Sequence, residues 1–137
     1  MSDPRVAALD RALEQWSAGD WTAAIEAADP GIEWVTPPDD PDAGVHRGVE
    51  GIMAYWAQWA EALEDLRMEA EEYIPAGERL VVVQRRSGRG RVSGAHVEDR
   101  LFLVYSFRGE RVSRVREFHE REQALSAAGR GRELDFS

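Results

Sequence analysis

The chain has 137 residues, the size of one domain and long enough to bury a core. Its 17 basic against 26 acidic residues give a formal net charge of −9, which argues against nucleic acid or an anionic membrane surface as the main partner, because both need a net basic face. With no cysteine, disulfides, thiolate chemistry and cysteine-ligated metals are excluded. No apolar run approaches the roughly 20 residues that span a bilayer, and the N-terminus lacks a basic segment followed by an apolar one, so the expected setting is soluble and cytoplasmic, with no membrane partner.

The first element expected is a helix over residues 3–18, where Val6, Leu9, Leu13 and Trp16 recur at three and four and Gly19 supplies the stop. Asp20 reads as the N-cap of a second, short helix that ends before Pro30. Residues 32–36 read as a short strand. The run Pro37-Pro38-Asp39-Asp40-Pro41-Asp42-Ala43-Gly44 is a loop, since its prolines fix φ and remove hydrogen-bond donors. A third helix is expected from about residue 49 to 64, with Ile52, Tyr55, Trp56, Trp59 and Leu63 on one face.

Three long strands then follow, over residues 66–74, 79–87 and 97–107, and a last one over 111–119. Residues 86–94, with Gly88, Gly90 and Gly94 among arginines, read as a flexible hairpin connection; no helix follows, which argues against a phosphate loop. Gly109 makes a tight turn between the last two strands, and a short helix entered through acidic residues comes after them. Residues 1–128 form one domain on this reading, and 129–137 a polar tail.

Four phrases in this order resemble the SnoaL-like branch of the nuclear transport factor 2-like superfamily: Ala18-Gly19-Asp20-Trp21, Asp29-Pro30-Gly31-Ile32-Glu33-Trp34, Val45-His46-Arg47-Gly48-Val49-Glu50-Gly51-Ile52, and Phe107-Arg108-Gly109-Glu110-Arg111-Val112. The resemblance spans about residues 5 to 128 and implies an α+β fold of cone shape, like cystatin and ketosteroid isomerase, with three N-terminal helices packed on a curved mixed sheet. Ketosteroid isomerases of this superfamily use an aspartate base and an oxyanion hole of a tyrosine and a protonated aspartate. The shared phrases put Thr36, Ala12 and Leu103 at those positions; a threonine cannot shuttle a carbon-bound proton at neutral pH, and neither alanine nor leucine can donate to an oxyanion. The acid/base position of the SnoaL-type cyclases also falls on or near Leu103.

Side chains alternate along a strand, so anchoring Leu103 inward places Asp99, Leu101, Tyr105 and Phe107 on the same face. The same anchoring turns Val81, Val83 and Arg85 inward on the second long strand and Ser113, Val115, Glu117 and His119 on the last. Trp34 and Thr36 join them, and Trp16, Tyr55, Trp56 and Trp59 close the cup from the helices. Glu98, Arg100, Arg114, Arg116, Gln84 and Arg86 are left on the outer face, where the resemblance implies a homodimer.

Among the ionisable members of the inward set, Arg85, Asp99, Glu117 and His119, a buried charge needs a partner. They read either as a structural ion-pair set or as catalytic residues, with Glu117 and His119 an acid/base pair and Arg85 a recognition group for a carboxylate or carbonyl. Trp16, Trp34, Thr36, Tyr55, Trp56, Trp59, Val83, Leu103, Tyr105 and Val115 are the expected pocket lining, suited to a small apolar or carbonyl-bearing molecule. The three histidines are scattered without a paired spacing, and neither a metal nor another cofactor is expected. Three functions stay open on the sequence: a proton-transfer isomerase, cyclase or hydrolase/dehydratase, a non-catalytic small-ligand binder, and a dimeric scaffold whose cup is filled by its own tryptophans.

Overall fold

A computed structural model describes residues 3–40 and 44–129 of the chain. Pro41, Asp42 and Ala43 of the proline loop, and the polar tail beyond Gly129, lie outside the described residues. Helix α1 (Pro4–Ser17) starts where the Asp3 carboxylate accepts the Arg5 amide at 2.9 Å, buries Leu9, Ala12 and Trp16, and ends at Gly19, whose φ of +93° only glycine adopts freely. Helix α2 (Thr22–Glu26) follows, with the Asp20 carboxylate accepting the Thr22 amide at 3.0 Å.

Strand β1 (Ala28–Val35), the short β2 (Val45–Arg47) and helix α3 (Gly48–Ala62) come next, α3 burying Ile52 and Trp56. Then come β3 (Leu63–Ala76), β4 (Arg79–Gly90), β5 (His96–Arg108), β6 (Arg111–Phe118) and the short helix α4 (Arg121–Ala127). The strands form one six-stranded sheet in the order β2-β1-β6-β5-β4-β3, in which β1 and β6 run parallel and every other neighbouring pair is antiparallel. Register shifts in the β1·β6, β3·β4 and β5·β6 ladders bend it. The fold is therefore α+β, a curved and open mixed sheet with the three N-terminal helices on its concave side.

Two cores separate the faces. On the concave side Leu80, Val82, Leu101, Leu103, Tyr105 and Val115 pack under Leu9, Trp16, Ile52 and Trp56 of the helices. On the outer side Val81, Val104 and Phe118 pack under Ala124 and Ala128 of α4 and its C-terminal edge. Both faces of β4 are thus covered, which is why Leu80-Val81-Val82-Val83 is an unbroken apolar run.

The structure departs from the sequence reading in three places. Val45-His46-Arg47, given no element by that reading, is a strand paired with β1, and the third helix, expected from about residue 49, begins at Gly48. The arginine- and glycine-rich segment is mostly strand, since β4 continues to Gly90; at Gly88 an added Cβ would stand 3.0 Å from the Glu64 carbonyl, so glycine lets β3 approach. The third correction is one of register. Leu103 pairs with Val82, and Asp99 with Arg86, so the concave face of β4 carries Val82, Gln84 and Arg86. Val81, Val83 and Arg85 point to the outer face, and Gln84 and Arg86 point in. Among the described residues no helix is long and apolar enough to cross a membrane.

Candidate active site

The concave side holds two spaces. The inner one is a void of about 60 Å³ between α1, α2, α3 and the sheet, with an almost wholly apolar lining that includes Trp16, Trp34, Trp56, Trp59, Tyr105 and Val115. All five tryptophans stand edge to face or stacked around it, Trp16 against Trp21 at 5.9 Å, Trp56 against Trp34 at 5.8 Å, Trp59 against Trp16 at 6.2 Å. The outer one is a cleft of about 420 Å³ at the mouth of the cup, lined by Thr36, Asp40, His46, Tyr55, Gln58, Trp59, Arg86, Leu101, Glu117 and His119. Its lining is rich in ionisable groups. Trp59 faces both spaces.

Glu117 is the floor of that cleft. Strand β6 turns it to the concave side beside Leu103 of β5, and it is only 2% exposed. Tyr55 from α3 and Trp34 from β1 both donate to its Oε1, each at 2.5 Å. Its Oε2 accepts no hydrogen bond among the described residues, and the residue lines the cleft. Burial pushes the Glu117 carboxyl above the ordinary carboxylate range; the two donors and the Arg86 charge offset part of this, and Asp40 adds to it. Burial and the neighbouring carboxylate also push the Tyr55 hydroxyl well up, so Tyr55 stays a proton donor to Glu117. Behind it Gln84 donates to the Tyr105 hydroxyl at 3.0 Å, and burial pushes Tyr105 up to about 12.

Two residues beyond Glu117, His119 brings Nε2 to 2.8 Å from Asp40 of the proline loop, and this bond raises the imidazole pKa. Asp39, Asp40 and His119 each bring one ligand-type atom within 4.8 Å of one another. The direct contact between His119 and Asp40 is a hydrogen bond, an ion pair when the imidazole is protonated, and it ties the loop to the end of β6. Thr36 fastens the other side of the same loop, its hydroxyl accepting the Gly44 amide at 2.7 Å and donating to the Gly44 carbonyl at 3.1 Å. His46 of β2 stacks on Tyr55 with ring centroids 4.3 Å apart, and burial lowers its pKa.

Arg86 closes the cleft on the β4 side. Its Nε and Nη2 donate to the two oxygens of Asp99 at 3.0 and 2.6 Å, and its guanidinium lies 5.1 Å from the centre of the Trp59 ring. Burial works against its charge, but Asp99, Glu117 and Tyr55 outweigh it and the pKa is raised.

Of the residues expected from sequence, the cleft brings together Glu117, His119, Thr36, Tyr55 and Trp59, while Trp16, Trp34, Trp56, Tyr105 and Val115 line the inner void. Arg85 does not belong to the site: it pairs with Glu69 on the outer face at 2.6 Å. Val83 also faces outward, and Leu103, fully buried, lies beneath both spaces without lining either. Asp99 reaches the site only through Arg86. The sequence reading missed Arg86, Asp40, Gln58 and His46 as lining, and it placed Leu101 on the inner face without counting it among the lining. Sheet parity carried the signal for Arg86, because any strand that pairs Val82 with an inward Leu103 also turns residue 86 inward.

Sequence and structure comparisons agree with this architecture. The SnoaL-like domain profile matches residues 9–115, most of the chain. The chain belongs to the SnoaL-like family. No curated protein matches it significantly. Among solved structures it is similar to an NTF2-like protein of unknown function from Burkholderia pseudomallei, at 18% identity and a TM-score of 0.75, covering 91% of this chain and 97% of that one. It is similar to a putative SnoaL-like polyketide cyclase from Jannaschia sp. CCS1 (20% identity, TM-score 0.72, 90% of each chain). TerC, co-crystallised with polyporic acid, is similar as well (19% identity, TM-score 0.74, 92% of this chain and 98% of that one). At such identities the likeness concerns the SnoaL-like fold alone.

Proposed function

We propose that the mouth cleft is a proton-transfer site for a small carbonyl-bearing molecule, with Glu117 as the acid/base group. The observation that carries this is the buried Glu117 carboxyl, held through one oxygen by Tyr55 and Trp34 while its other oxygen has no hydrogen-bond partner among the described residues and lies beside a space of about 420 Å³. A carboxyl pushed up by burial lies nearer neutral pH, where a group both takes and returns protons efficiently. In the step proposed, Oε2 takes a proton from the carbon next to the carbonyl and the C–H electron pair moves toward the carbonyl oxygen. Returning the proton at a second carbon makes an isomerisation; loss of a neighbouring leaving group makes an elimination. His119, held through Nε2 by Asp40, keeps Nδ1 for the carbonyl oxygen. The polyketide-cyclase and polyporic-acid relatives are in keeping with a carbonyl-rich ligand.

The competing reading, a non-catalytic ligand binder or scaffold, draws on the inner end, where the tryptophans leave only about 60 Å³. One measurement separates the two without knowing the product. A panel of enolisable ketones in D2O is followed by NMR for deuterium uptake at the α-carbon, with wild-type chain and with Glu117→Gln. We expect uptake with at least one ketone and a loss of about a hundredfold or more in the variant. Exchange at the same rate in both proteins removes Glu117 from the chemistry, and no exchange across the panel favours the binder.

A further inference from the structure

Arg86 takes no part in the proton transfer described above, yet it is firmly held in the cleft. Asp99 grips its Nε and Nη2 in a two-point fork, and Trp59 supports the guanidinium plane. Nη1 donates to nothing among the described residues, although the side chain is only 19% exposed. Two other cross-strand pairs of this sheet, Arg85 with Glu69 and Arg100 with Glu71, stand on the exposed outer face. Arg86 alone of these arginines lines the cleft. A guanidinium fixed along one edge and presenting its remaining N–H groups to a cavity matches a planar two-oxygen anion.

We infer that Arg86 is an anion subsite that binds the carboxylate of a small organic acid, so that the carbonyl compound handled in the cleft is a keto acid or a similar acid. This rests on the reading of the cleft as the site, not on its turnover. A second negative charge in the same space is the objection, and the surroundings of Glu117 answer it. Tyr55 from α3 and Trp34 from β1 are neutral donors to it, Tyr105 of β5 stands behind it as a neutral phenol, Arg86 faces it from β4, and Asp40 and His119 face it from the mouth. Burial and Asp40 already favour its protonated form. An incoming carboxylate favours that form further, so binding is coupled to partial proton uptake at Glu117; the fraction that stays ionised takes the α-proton and the protonated form returns it.

The test uses benzoate and its neutral isostere benzamide, titrated calorimetrically into the full chain. Benzoate is expected to bind at least about tenfold tighter, with proton uptake that is distinctly reduced in Glu117→Gln. Arg86→Met combined with Asp99→Asn, which leaves no stranded carboxylate, is expected to abolish the preference at an unchanged melting temperature. Arg86→Lys keeps the charge but not the fork and is expected to lose most of it; this variant decides the matter if the double variant does not fold. Equal binding of the two probes, or a preference that survives in these variants, overturns the subsite. A benzoate preference without α-carbon exchange sinks the turnover proposal alone, whereas exchange without the preference sinks only the anion subsite.

Discussion

The inner and outer ends of the cup are built from the same strands and the same helix, yet they are opposite in character. At the inner end α1, α2 and α3 press tryptophans onto the sheet and leave about 60 Å³. At the mouth, which the helices border only through Tyr55, Gln58 and Trp59 of α3 among the described residues, the same concave face carries Arg86, Glu117 and His119 around about 420 Å³. Burial by helices asks for apolar rings, and its absence leaves room for charge. Two residues span both ends: Glu117, which Trp34 of the inner end holds and which lines the mouth, and Trp59, which lines both spaces.

Breaking the inner end is expected to have the largest effect. Trp56→Ala removes a buried ring that contacts Trp16, Trp21 and Trp34, and we expect a loss of about 3–5 kcal/mol in urea unfolding. A loss below about 1 kcal/mol would mean that the tryptophan wall is loosely packed, and the contrast between the ends would fail.

The link between the ends comes next. Glu117→Leu strands the Trp34 indole N–H and the Tyr55 hydroxyl, at about 1–3 kcal/mol for each group left unpaired. Glu117→Gln keeps an acceptor oxygen for both donors and removes a charge that burial disfavours, so its melting temperature at neutral pH is expected to stay at or above that of the wild type. Thermal melts of the two variants side by side measure the difference between packing and charge at one position.

The pH dependence is smaller and its sign follows from two raised pKa values. For Glu117, raised above 4.5, the folded state binds the proton more tightly, so the stabilisation is fully present below 4.5 and is lost as pH rises through the folded value. For His119, raised above 6.5 by Asp40, the contribution is present below 6.5 and lost as pH rises through its own folded value. Stability is therefore expected to fall on going from weak acid toward alkali. Glu117→Gln removes the lower part of that slope, and His119→Gln the upper part, worth under about 1 kcal/mol because the imidazole is 41% exposed.

The smallest effect sharpens the comparison between sheet faces. Arg85→Met touches only the outer pair with Glu69, and benzoate binding and melting are both expected to match the wild type. A loss of benzoate affinity there would return Arg85 to the site and overturn the register described for β4.

The helices and most strand boundaries were legible in the chain because they rest on local physics: the three-and-four spacing of Leu9 and Trp16, the stop at Gly19, the turn at Gly109. That Glu117 and His119 line one cleft was legible for the same reason, since two residues apart on a strand share a face whatever lies opposite. The face of β4 was not. Local alternation is silent in Leu80-Val81-Val82-Val83, because α4 covers one side of this strand as fully as the N-terminal helices cover the other. The glycines that look like a loop hid where the hairpin turns, and that turn sets the register.

Sequence by itself therefore determined the α+β order of elements, the apolar ring-lined interior and the SnoaL-like resemblance, all of which follow from spacing along the chain. Tertiary structure alone decided that Arg86 rather than Arg85 meets Asp99 and Glu117, and that Asp40 and His46 join the cleft. The reason is that each of these contacts joins residues far apart in the chain, and strand register and loop closure, not local pattern, bring them within reach.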